Sequence, residues 1–248
     1  MYKSNNILEN GLEVLFLLAR GNTPPTTQDV SKSLKISLST AYRLVDTLIR
    51  HGLVEKTGAD GRLRLGIRNL ILARGVDKQS ALLKAAVPEM KQLRDLTGET
   101  VNLHTIVGYN QVCIESVDTS SPLRVIAPKG DTAPLYAGAG KALLAFLPEK
   151  QQIEIIESSG LRKLASNTVT DRTLLLKQLR TVREKGYAHT RSEVVEGVEA
   201  VAVPVFDEMK RVVATLSVAG PEHRMRQRNI DEIVEMIKAA AERISSSL

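Results

Sequence analysis

Apolar residues recur at helical spacing three times near the start of the chain, and then at strand spacing twice. Residues 7–20 read as a first helix with Leu8, Leu12, Leu15, Phe16 and Ala19 on one stripe. Gly21 and Asn22 stop it, and Pro24-Pro25 holds the link to the next. Thr26-Thr27 reads as the cap of a short second helix whose apolar positions are Val30 and Leu34. Only Lys35, Ile36 and Ser37 separate it from a third helix running to Arg50. There Leu38, Ala41, Leu44, Val45, Leu48 and Ile49 gather on one face, leaving Ser39, Thr40, Arg43, Asp46, Thr47 and Arg50 on the other. Past Gly52 the period falls to two: residues 53–57 and 62–65 flank Gly58-Ala59-Asp60-Gly61, a hairpin with Asp-Gly turn chemistry. Helix, tight turn, helix and a basic two-stranded wing, in that order, predict a winged helix-turn-helix over residues 1–66.

Residues 66–77, with Ile67, Leu70, Ile71 and Val76, form one more amphipathic helix, too short to be a domain. It reads as a linker helix, residues 67–80, whose stripe packs against a partner subunit or into an ordinary core. From residue 81 the pattern is mixed. A helix over 81–96 contains Pro88, and a hairpin of 100–107 and 111–117 turns at Gly108-Tyr109-Asn110. A third strand is expected at 123–127. A small-residue loop then runs into an apolar helix ending near Leu147. Helices at 148–159 and 171–186, strands at 187–195, 198–206 and 211–219 and a closing helix at 226–247 complete the chain. Strands in two groups with helices between and at both ends predict an α+β domain with a mainly antiparallel sheet over residues 81–248.

Charge sharpens the division. Residues 1–75 hold 11 Lys+Arg against 6 Asp+Glu, a balance of +5, so nearly all of the chain's +6 sits with the winged helix. Phosphate contacts require such an excess. A helix entering a major groove reads base edges with residues near its start. Ser39, Thr40 and Arg43 are therefore expected to read bases, and Tyr42, Arg50, Arg62 and Arg64 to hold phosphates or the minor groove. Thr27 and Ser37, at the helix starts, complete the candidate DNA-binding set.

Little in the sequence can catalyse. Gly140-Lys141-Ala142 resembles the end of a phosphate-binding loop, but Leu135 and Ala142 stand where that motif needs a glycine and a hydroxyl residue. No Gly-x-Ser-x-Gly elbow occurs. His51, His104, His189 and His223 are scattered without metal-ligand spacing, and the single cysteine, Cys113, excludes an internal disulfide and a cysteine-rich zinc site. No catalytic residue, metal or cofactor is expected. With no membrane-length apolar run and no signal-peptide pattern, the expected location is cytoplasmic. Glycine and alanine at 137–140 would let backbone approach a ligand at a helix start, as in an anion site, or would serve only tight packing.

The winged helix, the linker helix, the segment 136–146 (Tyr136-Ala137-Gly138-Ala139-Gly140-Lys141 and onward) and the later runs 196–207 and 213–221 together resemble the IclR family of bacterial transcription regulators. The resemblance covers essentially the whole chain. It implies a GAF-like effector-binding domain and a homodimer or homotetramer acting on palindromic operator DNA, with a repressor as the expected type. The implied effector is a carboxylated or aromatic metabolite of a catabolic pathway. By motif position it would lie against Gly138, Ala139 and Gly140, with Ala200 and Ser217 from two late strands and Thr190 from the strand before them. Ser217 could equally be satisfied by its own sheet. Ala200 and Ala219 stand where relatives can carry polar side chains, which implies a less polar or larger effector here. Arg124, Arg191 and Lys141 are the candidates for charge in that pocket.

Overall fold

The computed structural model describes residues 7–248 except Asn22 and Ala59, and the side chains of residues 76–79 also lie outside it. The first six residues, the Asn22 helix stop, the Ala59 turn position and the Val76 side chain therefore fall outside the described set. The chain forms two compact units, residues 1–80 and 81–248.

In the first unit, α1 (Ile7–Arg20), α2 (Thr27–Leu34) and α3 (Leu38–Arg50) precede a hairpin of β1 (Val54–Thr57) and β2 (Arg62–Leu65), followed by α4 (Asn69–Gln79). Thr26 caps α2 through a reciprocal box. Its hydroxyl accepts the Asp29 N–H at 3.3 Å, while the Asp29 carboxylate accepts the Thr26 N–H at 2.9 Å. Lys35 takes the left-handed conformation (φ 55°) that ends α2, and Ser37 caps α3 by accepting the Thr40 N–H. Val14, Val30, Ala41, Val45, Val54 and Leu63 make the core, with Leu15, Leu17, Leu18 and Leu48 against it.

The α1 stripe differs from the expected one. Leu8, Leu12 and Phe16 are exposed and Val14 is fully buried. The segment Val14-Leu15-Phe16-Leu17-Leu18 is apolar on nearly every side, so periodicity could not choose the inward face. Leu38 is also exposed, because it opens α3 before the helix reaches the core. On α4, Leu70, Ile71 and Leu72 are each more than 60% exposed, as is Ile67 just before it. Among the described residues, none of these four side chains belongs to the core of this unit.

The second unit is built on a six-stranded antiparallel sheet in the order β5-β4-β3-β8-β7-β6. Its strands are β3 (Thr100–Val107), β4 (Asn110–Val117), β5 (Thr132–Pro134), β6 (Ala188–Arg191), β7 (Val198–Phe206) and β8 (Val212–Pro221). One face carries Val101, Leu103, Val201, Val203, Leu216 and Val218 against α5 (Ala81–Thr97) and α10 (Ile230–Ser245). The other meets α6 (Gly140–Leu144), α7 (Glu149–Ser159) and α8 (Arg172–Lys185), whose apolar residues form a second core around Leu143, Leu144, Leu175 and Leu179. A four-residue α9 (Glu222–Met225) precedes α10.

Two strand expectations need correction. Residues 123–127 are not a strand. The β4 edge is taken instead by β5, and Cys113 exchanges backbone hydrogen bonds with Gly130 and Asp131, which leaves Leu123 and Ile126 exposed in the loop. The strand expected over 187–195 stops at Arg191, because Ser192 adopts φ 46° and turns the chain into a loop.

Candidate functional site

The outer face of α3 presents Ser39, Tyr42, Arg43, Asp46, Thr47 and Arg50, all exposed. Ser37 is exposed as well, but its hydroxyl is committed to the cap, 3.0 Å from Ser39 Oγ and 2.8 Å from Thr40 Oγ1. Arg50 pairs with Asp46 at 3.2 Å, whereas Arg43 has no ion pair among the described residues. On the wing, Arg62 donates to Asp60 and to the Pro24 carbonyl, and Arg64 donates twice to Glu55. These bonds hold the wing arginines in place while much of each side chain stays in solvent. They also keep the Glu55 and Asp60 carboxyls below the usual carboxylate range, through side-chain hydrogen bonds from Arg64 and Arg62. Thr27 is the exception. It is buried in the first turn of α2 and offers nothing to a partner at the surface. Sequence reasoning passed over Lys56 on β1, which is exposed beside the wing arginines.

In the second unit, Gly138, Ala139, Thr190, Ala200 and Ser217 line one cavity of about 130 Å³. Sheet register explains the convergence. Thr190 pairs with Ala200, Ala200 with Ala219, and Asn102 with Ser217, which places small or polar side chains on the face opposite α5 and α10. Gly140 does not line it. A Cβ there would meet Leu135 Cα and O at 2.8 Å and Gln111 Nε2 at 2.9 Å, so this glycine serves packing. At Gly138 both reasons for glycine hold: φ is +60°, and a Cβ would stand 2.8 Å from Val194. The Ser217 hydroxyl donates to the Asn102 carbonyl at 3.4 Å, a long bond within its own sheet.

Arg124, Arg191 and Lys141 all lie outside the lining, paired with Asp118, Glu199 and Glu193 respectively. The Lys141–Glu193 pair is 2.5 Å long and almost wholly buried, and the second Glu193 oxygen accepts the Gly138 N–H at 3.0 Å. The Gly138 N–H, one of the backbone donors of the small-residue loop, thus already holds a carboxylate. Burial pushes the Lys141 ammonium below its usual range, opposed by Glu193.

The cavity also holds residues that sequence reasoning missed, among them Asn102, His104 and Gln111. The signal was present. Asn102 and His104 alternate with Val101 and Leu103, and polar residues at every second place in an apolar strand mark the face that does not enter the core. Burial lowers the His104 pKa to about 4, so its imidazole is neutral at neutral pH. Cys113, also in the lining, has its thiol pushed up to about 11 by burial. Among the described residues no helix is long and apolar enough to cross a membrane.

Known proteins share both units. Residues 7–58 match the IclR helix-turn-helix domain, and residues 76–246 match the C-terminal domain of the bacterial transcriptional regulator IclR. The HTH-type transcriptional repressor AllR of Salmonella typhimurium is 33% identical over 99% of this chain and 91% of its own length. The crystal structure of an IclR transcriptional regulator from Alicyclobacillus acidocaldarius superposes with a TM-score of 0.87 at 26% identity, covering 97% of this chain and 98% of that one. An IclR homologue from Microbacterium hydrocarbonoxydans, complexed with 4-hydroxybenzoate, gives 0.81 at 26% identity over 98% of this chain and 99% of that one. A winged helix with an exposed polar recognition face, a second unit with a lined cavity, and matches running through both have one reading: the chain belongs to the IclR family of bacterial transcriptional regulators.

Proposed function

We propose that this protein is a cytoplasmic, homo-oligomeric repressor whose hold on a palindromic operator is altered by a small molecule bound in the 130 Å³ cavity. Residues 1–66 serve as the DNA-binding domain, 67–80 as the linker helix and 81–248 as the effector-binding domain. Ser39, Thr40 and Arg43 read base edges. Tyr42, Arg50, Arg62 and Arg64 hold the backbone or the minor groove. The observation that carries the DNA role is Arg43, exposed on α3 with no ion pair among the described residues, so no partner must be broken before it reaches a base.

The exposed apolar residues of α1 and α4 support self-association. Leaving Leu8, Leu12, Leu70, Ile71 and Leu72 in water is unfavourable, and a second copy offers the same surface in return. For the effector, the support is the cavity together with the relative that carries 4-hydroxybenzoate. Carboxylated and aromatic metabolites are the classes to screen first. An effector acts only through different affinities for the DNA-competent and DNA-incompetent states.

The test is a gel shift on the intergenic DNA upstream of the protein's own gene, with small organic acids, phenols and amides added singly. A specific shift released by one compound is the expected result. Absence of any specific shift would sink the DNA role.

A further inference from the structure

The chemistry of the cavity narrows what can fill it. Gln111 is 3% exposed, and its Nε2 donates to the carbonyls of Pro134 at 3.3 Å and Ala137 at 2.9 Å. Those two carbonyls fix the amide orientation, because a flipped side chain would set oxygen against oxygen. Gln111 Oε1 is left buried with no hydrogen-bond partner, and His104 Nδ1 is in the same position. Both residues line the cavity. A buried acceptor without a donor is costly, so a ligand that supplies one recovers that loss on binding.

Charge points the same way. The lining includes Asp131 and Glu193 and neither Lys nor Arg. Lys141, behind it, is committed to Glu193 and to Gln178 Oε1 at 2.7 Å. The Gly138 N–H is occupied by Glu193. An entering carboxylate would shed its hydration, find no counter-ion in the wall, and meet the like charges of Asp131 and Glu193. The volume is close to that of the ~150 Å³ cavity known to take benzene.

We infer that the cavity takes an uncharged molecule about the size of a benzene ring, which donates an N–H or O–H to Gln111 Oε1, in preference to a carboxylate. This rests on the reading of the cavity as the effector site. It makes Gln111 the residue that sets the effector's chemical class.

Matched acid and amide probes test it on the full chain at neutral pH. Isothermal calorimetry compares 4-hydroxybenzamide with 4-hydroxybenzoate, and lactamide with lactate. In at least one pair the amide should bind at least about tenfold more tightly than its acid, because both carry a hydroxyl donor but the acid is charged and lacks the amide N–H. Ala200→Leu, which fills the cavity, should abolish that binding, and Gln111→Met should weaken it by a similar tenfold. Circular dichroism establishes that the variants fold; should Gln111→Met not fold, the acid–amide comparison decides alone. If no amide binds more tightly than its own acid, the inference is overturned. An acid that binds and releases operator DNA would overturn it while leaving the effector site in place. An amide that binds in the cavity but leaves the gel shift unchanged would uphold the chemistry and remove the effector role.

Discussion

Replacing Glu193 with glutamine changes one oxygen for one nitrogen and removes one charge, and the surrounding bonds say what that costs. Glu193 faces two donors at once, the Lys141 ammonium at 2.5 Å and the Gly138 N–H at 3.0 Å. A glutamine can turn its oxygen to only one of them. Its NH₂ must then oppose the other donor, which leaves a buried group unsatisfied at about 1–3 kcal/mol. Lys141 also loses its counter-ion in a site where the two side chains are 3% and 9% exposed, leaving Gln178 Oε1 as its acceptor. Breaking one side of a buried pair costs about 3–5 kcal/mol, and the unsatisfied donor is part of that loss, not an addition to it. For a unit of this size each kcal/mol lowers Tm by roughly 2–4 °C, so Glu193→Gln should lose on the order of 10 °C. Urea unfolding at pH 7 gives the free energy directly. The double variant Glu193→Gln with Lys141→Met removes the stranded charge and lets the glutamine oxygen serve Gly138, so it should recover most of the loss. A single variant within about 0.5 kcal/mol of the parent, or a double variant no better than the single, would refute this account of the pair.

Further outcomes follow from other residues. The folded-state pKa of His104, about 4, lies below its ordinary 6.5, so between these values the unfolded chain binds a proton that the folded one does not. Stability from this group is complete above pH 6.5 and is lost as pH falls through 4, up to about 3 kcal/mol in all; His104→Gln should flatten urea-midpoint measurements across that window, and an unchanged slope would count against a neutral buried imidazole. Arg43→Ala should weaken operator binding by about 1–3 kcal/mol and relax sequence preference, as read by gel shift on operator and scrambled DNA; undiminished discrimination would remove Arg43 from the reading set. Thr27→Val should leave operator affinity within twofold, because that side chain is buried in α2. With its thiol raised to about 11, Cys113 should react slowly with Ellman's reagent in the folded protein and rapidly in urea; equal rates would contradict its burial.

Local signals carried much of the structure into the sequence. The start of α2 followed from capping chemistry at Thr26, because the groups involved lie within a turn of one another. Strand β7 was legible over its whole length, since a short apolar run of valine and alanine closed by Glu196-Gly197 and Asp207 is a local signal of a strand buried on both faces. The ordering of helix, turn, helix and wing, and the basic excess of the first 75 residues, needed no coordinates either. Five of the six residues placed at a ligand by resemblance do line the cavity.

Tertiary structure decided the rest. The inward face of α1 depended on which neighbour arrived, because its sequence is apolar almost all round. Residues 123–127 had the composition of a strand but the β4 edge pairs with β5, a choice between two neighbouring segments that periodicity cannot make. Thr27 and Thr40 read alike as polar residues near helix starts, yet packing buried the first and left the second partly accessible. Gly140 and Gly138 are two residues apart, and the positions of Leu135 and Gln111 make the first a packing glycine while the second lines the cavity. The Lys141–Glu193 pair joins residues far apart in the chain, as do the bonds from Gln111 Nε2 to Pro134 and Ala137 that leave its oxygen unpartnered. Sequence determines which groups exist and their local periodicity. Which polar atoms remain unpaired is a property of the folded whole, since satisfaction is settled only when every neighbour is in place.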